Sequence, residues 1–424
     1  MASERAAPVK TALVIGGGLI GTACAINLQA RGIATRIVDP VSVRRAASWG
    51  NAGHIAVEQV EPLASFATIR SFPGRLFSRG GALGLPLRDI AAWLPFSLRL
   101  IGASRRQRFA AGKRALGGAL AAATDAWRRL LGSADASHLL LEQGHFVVWE
   151  SVETAAAGRA AWEKTDTGTA RFRDASPEEM SMLSGLMRRP PAGAIRFLGT
   201  SQIVDLGILA EALGSVLVRL GGAQHCASAA QLRLAKGQAS VLLDTGETLH
   251  ADAVVVAAGV GSGRLLEPFG YKVPIIAERG YHVQTAATSW PMDLPPVVFE
   301  DRSMIATRFH SGLRVASFVE FSRSDSPPDR RKWRRLRRHV EELGLSFNEP
   351  VAEWIGARPT LPDYLPAIGG SRRVRNLFYA FGHQHLGLTL AAVTGEAIAA
   401  LVAGDEPPLD VAAFDLERFQ RKQR

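Results

Sequence analysis

Residues 16 to 21 of the 424-residue chain, Gly-Gly-Gly-Leu-Ile-Gly, have the spacing G-x-G-x-x-G. They follow the apolar run TALVI and precede the helical pattern LIGTACAINLQARG, so they form a turn between a strand and a helix. There the first glycine permits the tight turn, the second lets backbone approach a pyrophosphate, and the third lets helix and strand pack closely. The helix N-terminus attracts the anion. The motif predicts dinucleotide binding.

An acidic residue supports this interpretation. Asp39 ends the second strand, ATRIVD, 18 residues after Gly21, where a carboxylate accepts the ribose hydroxyls. The position of the motif near the N-terminus favours FAD over NAD. The residues expected to contact the dinucleotide here are Gly16, Gly18, Leu19, Ile20, Gly21 and Asp39.

A loop of small and polar residues, ASWGNAGHIA at 47 to 56, comes after the second strand and suits a segment that runs under a flat cofactor. Ser48 and Asn51 can donate to phosphate or ring oxygens, whereas Ala52 and Gly53 permit close backbone approach. His54 has two open roles: a hydrogen-bonding or packing partner beside the ring, or a direct participant in chemistry.

Two later segments are predicted to complete the crevice. VVVAAG, at 254 to 259, is a buried strand whose end, Ala258 and Gly259, forms a third wall. FGHQHLGLTLAAVTG then begins a second helix, whose dipole would stabilise negative charge on a reduced flavin. An ordinary glycine-rich turn is the alternative. The residues expected at this second helix start are Gly382, His383, Gly387, Leu388 and Thr389.

An arginine stands in a proline-rich stretch, EWIGARPTLPDYLPAIGG, between residues 353 and 370. Pro359, Pro362 and Pro366 predict a stiff loop around Arg358, and Asp363 is expected to cap a turn. A guanidinium offers two parallel donors that fix a planar carboxylate. A rigid backbone around Arg358 would therefore fix the position of the bound carboxylate.

The pattern of elements predicts an α/β protein with two discontinuous domains. A Rossmann-like FAD-binding domain is expected from residues 1–80, 195–268 and 355–424. A mixed or antiparallel sheet domain that binds the substrate is expected from residues 81–194 and 269–354, because the runs between 272 and 322 are spaced like antiparallel neighbours.

The composition excludes several classes of protein. Hydrophobic residues make up 47% and charged residues 21% of the chain, which is typical of a folded, soluble protein. With only Cys24 and Cys226, a disulfide framework or a cysteine-ligated metal site is excluded, and no metal is expected. A cytoplasmic location is expected. The apolar stretch 81 to 103 contains two prolines and three charged residues, so it is expected to be amphipathic rather than transmembrane.

The net charge of +11 is concentrated in DRRKWRRLRRH, residues 329 to 339. On a helix Trp333 and Leu336 share a face while the arginines spread over the others. Three interpretations remain open: a solvated helix face, contact with the anionic inner face of the cell membrane, or contact with an acidic partner. No recognition motif accompanies the basic run, so a nucleic acid is not expected.

Taken together, the motifs resemble those of the FAD-dependent D-amino acid oxidase superfamily. The chain is most similar to the D-amino acid dehydrogenase branch, which includes D-hydroxyproline dehydrogenases, and it is also similar to glycine oxidases. The matching segments occur in family order through almost the whole chain: VIGGGLIG, SWGNAGHIA, GTSQIVDLGILAEAL, ERGYHV, GARPTLPDYLPAIGG and FGHQHLGLT.

The resemblance implies roles for particular residues. The family's G-x-R-P arginine, which holds the substrate carboxylate, corresponds to Arg358. Tyr281 is expected to assist it with an aromatic hydroxyl, although an ordinary sheet tyrosine is an equal alternative. His54 is the third candidate for chemistry. Relatives with covalent flavin use a late cysteine or a histidine in the loop that here has Gly50, so noncovalent FAD is expected.

The implied activity is oxidative deamination of a D-amino acid or cyclic D-imino acid, with D-hydroxyproline favoured by ERGYHV and WGNAGHI. Hydride would pass from the α-carbon to flavin N5, giving an imine, and electrons would go to a quinone or another non-oxygen acceptor. Two alternatives stay open: an oxidase that uses oxygen, and an FAD-carrying subunit of a multi-subunit dehydrogenase. The sequence leaves the oligomeric state open.

Overall fold

The glycine motif lies in a six-stranded sheet in the computed structural model, which describes residues 8–40, 46–65, 70, 72–235 and 238–420. In spatial order the strands are β10 (Ala223–His225), β2 (Ala34–Val38), β1 (Thr11–Ile15), β14 (Ala253–Val256), β21 (Leu377–Phe381) and β20 (Ala367–Gly370). The first five are parallel and β20 is antiparallel to β21. The central strand β14 is buried throughout, as its run of valines predicts.

A second, nine-stranded sheet forms the other large layer. Its main path is β19 (Val351–Thr360), β15 (Ile276–Thr285), β18 (Gly312–Ser322), β17 (Met304–Phe309), β16 (Val297–Phe299), β6 (His145–Trp149), β8 (Gly193–Leu198) and β7 (Arg171–Asp174). The ninth strand, β4 (Leu83–Gly84), pairs with β18. Strands β15, β16, β17 and β18 include the antiparallel pairs β15–β18, β17–β18 and β16–β17, as the sequence between 272 and 322 predicts. Strand β19 is also antiparallel to β15.

Two small sheets complete the strands. One is an antiparallel meander of β11 (Ala229–Ala235), β12 (Gln238–Leu243) and β13 (Thr248–Ala251), and the other joins β3 (His54–Ile55), β9 (Ser201–Ile203) and β5 (Leu140–Leu141). In the sheet of β3, β9 and β5, the pairing of β3 with β9 connects the loop after β2 to the segment before the helix that starts at Leu206.

Helices cover the sheets. They are α1 (Leu19–Ala30), α2 (Phe72–Arg75), α3 (Ile90–Ala103), α4 (Arg106–Ala121), α5 (Ala123–Gly132), α6 (Val152–Lys164), α7 (Pro177–Gly185), α8 (Leu206–Arg219), α9 (Ser262–Leu266), α10 (Arg330–Leu343) and α11 (Gly387–Ala403). Helix α1 packs between α11 and α8 beside the six-stranded sheet, whereas α10 packs on β15 and β18.

Helix α11 and the turn before it, residues Gln384–Ala403, are long and apolar enough to cross a membrane. In its most apolar window, however, 78% of the residues are buried inside the protein. Thirteen of its residues between Leu388 and Val402 are in the core, so it serves as the central helix of the fold.

The architecture confirms the predicted fold class and corrects some details. The boundaries predicted at 194/195 and 354/355 cut through β8 and β19, and both strands belong to the nine-stranded sheet. The segment around Arg358 is also not a loop: it is the end of β19, which pairs with β15 along its whole length. Proline is tolerated there because β19 lies at the sheet edge, where one side of the strand needs no ladder partner.

Candidate active site

The turn before α1 is shaped for an anion. Gly16 has a φ of +113°, and a Cβ atom there would collide with the carbonyl of Ala257 at the end of β14. A Cβ at Gly21 would collide with the carbonyl of Gly16, so both positions require glycine. Gly18 is the N-cap of α1 and supplies no side-chain cap, and the first helical turn has no acidic residue. The helix start therefore presents backbone N–H groups to a ligand.

Asp39 and Ser48 both reach this turn. The Asp39 carboxylate accepts a hydrogen bond from the Gly17 backbone N–H at 2.6 Å. The Ser48 hydroxyl accepts one from the N–H of Leu19 at 3.1 Å. The structure thus brings together the glycine turn, the acid at the end of β2 and the loop after it, as the sequence predicts for a dinucleotide site.

The loop at 47 to 56 is held in place by a buried arginine. Arg314, on β18, donates to the carbonyl of Asn51 at 2.5 Å and to that of Trp49 at 3.3 Å. Burial lowers the pKa of Arg314 to about 10. The side-chain oxygen of Asn51 accepts from the N–H of Gly53 at 2.8 Å, and this hydrogen bond stabilises the turn at residues 51 to 53. Ala52 lies between these two anchored residues.

The second helix start is joined to the same loop. The Thr389 hydroxyl, in the first turn of α11, accepts from the N–H of Ala56 at 2.9 Å. Gly382 has a φ of +80°, and a Cβ there would press on Leu361. Leu388 is a core residue, and a Cβ at Gly387 would make only an ordinary van der Waals contact with His383. The hydroxyl of Thr389 thus holds the loop.

Three buried polar atoms along these segments are suited to contact a bound cofactor. Trp49 Nε1, His54 Nδ1 and His383 Nδ1 have no hydrogen-bond partner among the described residues. Buried polar groups normally have partners. Their position on the two predicted cofactor segments, together with the cradle at Gly16 and Gly21, fits a bound FAD.

Strand β19 is where the predicted cofactor segments meet. It contacts the turn Ala47–Gly50, the turn Gly259–Gly261 after β14, and the turn Gln384–Leu386 before α11. Ala258 and Gly259 therefore lie close to β19, and their contact with the cofactor stays a prediction. A Cβ at Gly50 would collide with the ring of Trp354 on β19, so no side chain fits there while that ring is in place.

A pair of glycines leaves room for two large side chains on one face of the nine-stranded sheet, and we call this patch the hollow. Gly280 on β15 and Gly356 on β19 are register partners. The guanidinium of Arg358 covers Gly280, and the indole of Trp354 covers Gly356, because a Cβ at either glycine would collide with them. The Trp354 indole also stacks on the ring of His282, with centroids 5.0 Å apart and planes at 11°. This hollow faces the loop at 47 to 50.

Arg358 lies in this hollow, and it is held by a buried carboxylate. Its Nη1 lies 3.3 Å from Glu278 Oε1 and donates to the carbonyl of Phe318 at 3.2 Å. Glu278 is fully buried, whereas the Arg358 side chain is 26% exposed. No partner for Nη2 or Nε appears among the described residues, so these parallel donors are free for a ligand carboxylate.

Glu278 has two further hydrogen-bond donors. Thr360 and Tyr364 donate their hydroxyls to its Oε2, at 3.1 Å and 3.0 Å. Burial and the Glu278 charge raise the pKa of Tyr364 well above its usual value, so it remains a donor. His385 is also close to this group of residues. Its Nε2 lies 2.6 Å from Gln59 Oε1, and burial lowers the pKa of His385 to about 4.

Tyr281 does not join Arg358, which corrects the prediction made for its hydroxyl. Side chains alternate along β15, so Tyr281 points to the sheet face opposite Glu278. Its hydroxyl donates to Glu320 at 3.1 Å and accepts from the N–H of Asp329 at 3.1 Å. The ring packs against Trp333 of α10. The alternative role, an ordinary sheet tyrosine, describes it.

His54 is engaged inside the protein through one ring nitrogen. Its Nε2 lies 3.1 Å from Glu58 Oε1, and its ring stands edge-on to His145 at 4.5 Å. Burial opposes ionisation of Glu58, but the charge and hydrogen bond of His54 outweigh it and lower the pKa of Glu58 to about 2. Of the two roles left open for His54, this geometry favours the local hydrogen-bonding partner.

Several residues that shape the site are missed by sequence reasoning: Glu278, Gly280, Arg314, Trp354, Thr360, Tyr364 and His385. A charged residue inside an apolar strand is the signal for two of them, Glu278 in IIAERGYHV and Arg314 in LRVASFVEF. Buried charges need partners, so each marks a contact that the strand pattern does not explain.

Comparisons with known proteins identify the family of this chain. The family described as DAO, FAD dependent oxidoreductase, matches residues 11–401. A protein from Bradyrhizobium diazoefficiens named D-amino-acid oxidase is 30% identical over 425 residues, covering 96% of this chain and 98% of its own. Among solved structures, glycine oxidase from Geobacillus kaustophilus superposes with a TM-score of 0.71 at 20% identity, covering 97% of this chain and 98% of that one.

A further solved structure, L-proline dehydrogenase from P. horikoshii, has a TM-score of 0.69 at 17% identity and covers 98% of this chain and 99% of its own. At these identities the two structures show a common fold. The family match extends over nearly the whole chain, and the cradle at Gly16 and Gly21 fits its cofactor. The chain therefore belongs to the DAO family and is an FAD-dependent amino acid oxidoreductase.

Proposed function

We propose that the protein oxidises a D-amino acid or a cyclic D-imino acid to the imine, which water then hydrolyses, and passes the electrons to a quinone or another non-oxygen acceptor. The observation that carries the proposal is Arg358. Its free donors lie in the hollow, on the strand that contacts three of the four predicted cofactor segments.

The substrate class is supported by the recognition chemistry. An arginine with two free parallel donors fits a carboxylate and sets its orientation. The relative from Bradyrhizobium is named a D-amino-acid oxidase, which supports the D configuration. The structural neighbour named L-proline dehydrogenase supports a ring imino acid as one substrate that this fold accepts.

The chain's own residues bind and orient the substrate. Arg358 holds the carboxylate, and Glu278 fixes the guanidinium while balancing its charge. Enclosure in the hollow beside Trp354 reduces contact with water and favours the neutral amine, from which hydride leaves more readily. When bound, FAD supplies the redox chemistry by accepting the hydride. No side chain is required as an acid or base in this scheme.

The experiment that tests the substrate class is anaerobic bleaching of the flavin absorbance by a panel of candidate substrates. The panel contains D-amino acids, D-hydroxyproline, D- and L-proline, glycine and sarcosine. We expect rapid bleaching by D-amino acids or cyclic D-imino acids, with D-hydroxyproline among the substrates. Bleaching by L-proline or sarcosine alone would overturn the proposal.

An oxygen-using oxidase is the second candidate function, favoured by the names of two similar proteins, D-amino-acid oxidase and glycine oxidase. Turnover in air, followed by hydrogen peroxide formation, separates it from a dehydrogenase. We expect turnover with a quinone or an artificial acceptor to exceed turnover with oxygen. The same assay on the purified single chain tests the third alternative, because a subunit that depends on a partner would be inactive alone.

The mode of cofactor attachment is a separate prediction. Cys24 is buried within α1, Cys226 lies beyond the end of β10, and Gly50 has no side chain. We expect acid precipitation to release all the yellow colour into the supernatant. Colour that stays with the pellet would show a covalent bond.

A further inference from the structure

His385 lies beside the hollow, in the turn Gln384–Leu386 before α11. This turn contacts β19, the strand that carries Arg358. Burial lowers the pKa of His385 to about 4, and the nearby charges of Glu278 and Arg358 act on it in opposite directions. The imidazole is therefore uncharged at neutral pH. It is a neutral hydrogen-bonding group next to the Arg358–Glu278 pair.

A chain of hydrogen bonds decides which ring nitrogen of His385 carries the proton. Glu58 is buried, and the lowering of its pKa to about 2 keeps it a carboxylate, which can only accept. Its Oε1 lies 3.3 Å from one end of the Gln59 amide, so that end is the NH2 group. The other end, the Gln59 oxygen, lies 2.6 Å from His385 Nε2. Because an amide oxygen only accepts, Nε2 is the nitrogen that donates.

The second ring nitrogen, Nδ1, is consequently an acceptor with a free lone pair. A neutral imidazole has one N–H, and in His385 that N–H is at Nε2. No partner for Nδ1 appears in the part of the chain that the structure describes, and the backbone N–H of the same residue donates to the Gln384 side chain at 3.2 Å. Nδ1 is also open to contact, because His385 is only partly buried and this atom is not among the enclosed polar atoms that lack a partner. A ligand with a donor group can therefore reach it.

Backbone strain is concentrated at the same place. Among the described residues, five that are not glycine have a positive φ, and three of the five adjoin the hollow or the turn. The carbonyl of Phe318 (φ +69°) accepts from Arg358. The carbonyl of Tyr364 (φ +55°) accepts from the side chain of Gln384 (φ +46°) at 2.8 Å. Because such conformations persist where the surrounding structure holds them and cluster at binding and active sites, this strain marks the turn that presents His385 as part of the site.

We propose that His385 Nδ1 accepts a hydrogen bond from the N–H of the substrate's α-nitrogen, and that this contact makes an N–H group a requirement for tight binding. The proposal rests on the proposed function, because it takes Arg358 as the group that holds the carboxylate. The carboxylate and the nitrogen of an α-amino acid are attached to the same carbon atom. Donors for the first and an acceptor for the second therefore fix two of the substituents on that carbon.

A neutral acceptor suits the form of the substrate that reacts. An uncharged primary or secondary amine has at least one N–H, whereas a tertiary amine has none. Because the pKa of His385 is about 4, the ring accepts the hydrogen bond without taking the proton. His385 is thus a specificity residue rather than an acid or base, and it selects primary and secondary amino acids over those with a fully substituted nitrogen. Glu58 and Gln59 act through it, by fixing the ring nitrogen that carries the proton.

The test compares two flat ring carboxylates of nearly the same shape, pyrrole-2-carboxylate and furan-2-carboxylate. The first has a ring N–H next to the carboxylate, and the second has a ring oxygen that cannot donate. Each is titrated into the flavin-loaded full chain without substrate, and binding is followed by the change in flavin absorbance. We expect pyrrole-2-carboxylate to bind at least about tenfold tighter, because the furan oxygen would place an acceptor against the lone pair of His385 Nδ1.

Two variants alter the acceptor in different ways. His385→Leu deletes the ring, so its binding of pyrrole-2-carboxylate should weaken about tenfold, while its binding of furan-2-carboxylate should stay within about twofold of the parent. Gln59→Leu keeps the ring but lets the proton occupy either nitrogen, so the preference should fall about threefold. His250→Leu, at an exposed histidine of β13, is the matched control and should keep the parent preference within about twofold.

Flavin content and the melting temperature show that each variant is folded and loaded. Equal binding of the two carboxylates by the parent, or a preference retained in His385→Leu, would overturn the N–H contact and leave the carboxylate site intact. If His385→Leu does not fold, an unchanged preference in Gln59→Leu would overturn the proposal instead.

Arg358→Ala tests the proposed function separately. If this variant binds both carboxylates as tightly as the parent does, the carboxylate site is wrong, even where the N–H preference of the parent stands. Failure of both compounds to bind the parent would overturn the carboxylate site and the N–H contact together.

Discussion

Two buried glutamates on neighbouring strands hold arginines in opposite ways. Glu278, on β15, faces the hollow and contacts one cation, Arg358, whose side chain is 26% exposed. Glu320, on β18, faces α10 and contacts two cations, Arg279 and Lys332, each 2% exposed. Both carboxylates also accept from a tyrosine hydroxyl. The two clusters lie back to back across one layer of sheet.

The difference separates a structural ion cluster from a binding site. Around Glu320 every charge has a buried partner, and Asp329 completes the balance by lying 3.3 Å from the ammonium of Lys332. Around Glu278 the carboxylate is saturated, but the arginine is not. A buried cluster that keeps free donors at its exposed end is built to hold a further anion.

The largest expected effect is that of Arg358→Ala. The variant removes both free donors, so we expect kcat/KM to fall about a thousandfold, which corresponds to about 4 kcal/mol, mainly through a higher KM. Flavin content should be unchanged, because the cradle at Gly16 and Gly21 lies on the other sheet. Steady-state kinetics with flavin-normalised enzyme measure the change.

Arg358→Lys is the informative control for that variant. It keeps the charge but loses the two-pronged geometry, so its KM should lie between those of the parent and the alanine variant. If Arg358→Ala left the KM unchanged, the Glu278 cluster would not be a substrate-binding site and would be as purely structural as the Glu320 cluster.

Glu320→Gln should act on stability instead. It leaves Arg279 and Lys332 buried without their carboxylate, and we expect the free energy of unfolding to fall by about 3 kcal/mol. The substrate KM of the folded fraction should stay unchanged, because Glu320 faces away from the hollow. Urea denaturation gives the first quantity. Glu341→Gln, at an exposed carboxylate of α10, is the control and should change stability by less than about 0.5 kcal/mol.

The cofactor half of the site is predictable from the sequence because its parts are local. A strand, a glycine turn and a helix follow one another between Thr11 and Ala30. Two of the glycines are required there, because a Cβ at Gly16 would collide with the carbonyl of Ala257, just after β14, and a Cβ at Gly21 with the carbonyl of Gly16. The resemblance to the family's G-x-R-P segment also makes Arg358 a candidate from the sequence alone. The loop predicted there is wrong because proline indicates a break only where both sides of a strand need partners, and β19 is an edge.

The substrate half depends on pairing between distant strands. Glu278 and Tyr281 are three residues apart, so alternation alone places them on opposite faces. Which face carries the site is decided by β19, about 75 residues later in the chain, and by its register with β15. No local pattern contains that register, so the sequence alone leaves both roles of Tyr281 open.

Glu278→Gln tests the link between charge and orientation. The amide still accepts from Thr360 and Tyr364, but Arg358 loses its fixed, charged partner. A simple carboxylate such as benzoate should bind a few-fold tighter, because a nearby negative charge is gone. Turnover at saturating substrate should fall about tenfold, because the guanidinium is no longer held in one orientation.

These opposite directions distinguish a positioning role from a purely structural one. Loss of stability alone, with both inhibitor affinity and kcat unchanged, would show that Glu278 resembles Glu320. Inhibitor titration by the flavin absorbance and kcat measurement on the same preparation give both readouts.

The smallest effects are expected from the two tyrosines, and they test the corrected placement of Tyr281. Tyr281→Phe removes one hydrogen bond to Glu320 and should cost about 1 kcal/mol of stability, with KM and kcat unchanged. Tyr364→Phe removes the matching bond to Glu278 and should cost a similar stability. Only this second variant should also lower kcat, by a few-fold, because it loosens the carboxylate that orients Arg358. If Tyr281→Phe raised KM while Tyr364→Phe did not, the substrate would lie on the face of β15 that packs against α10, and the assignment of the hollow would be wrong.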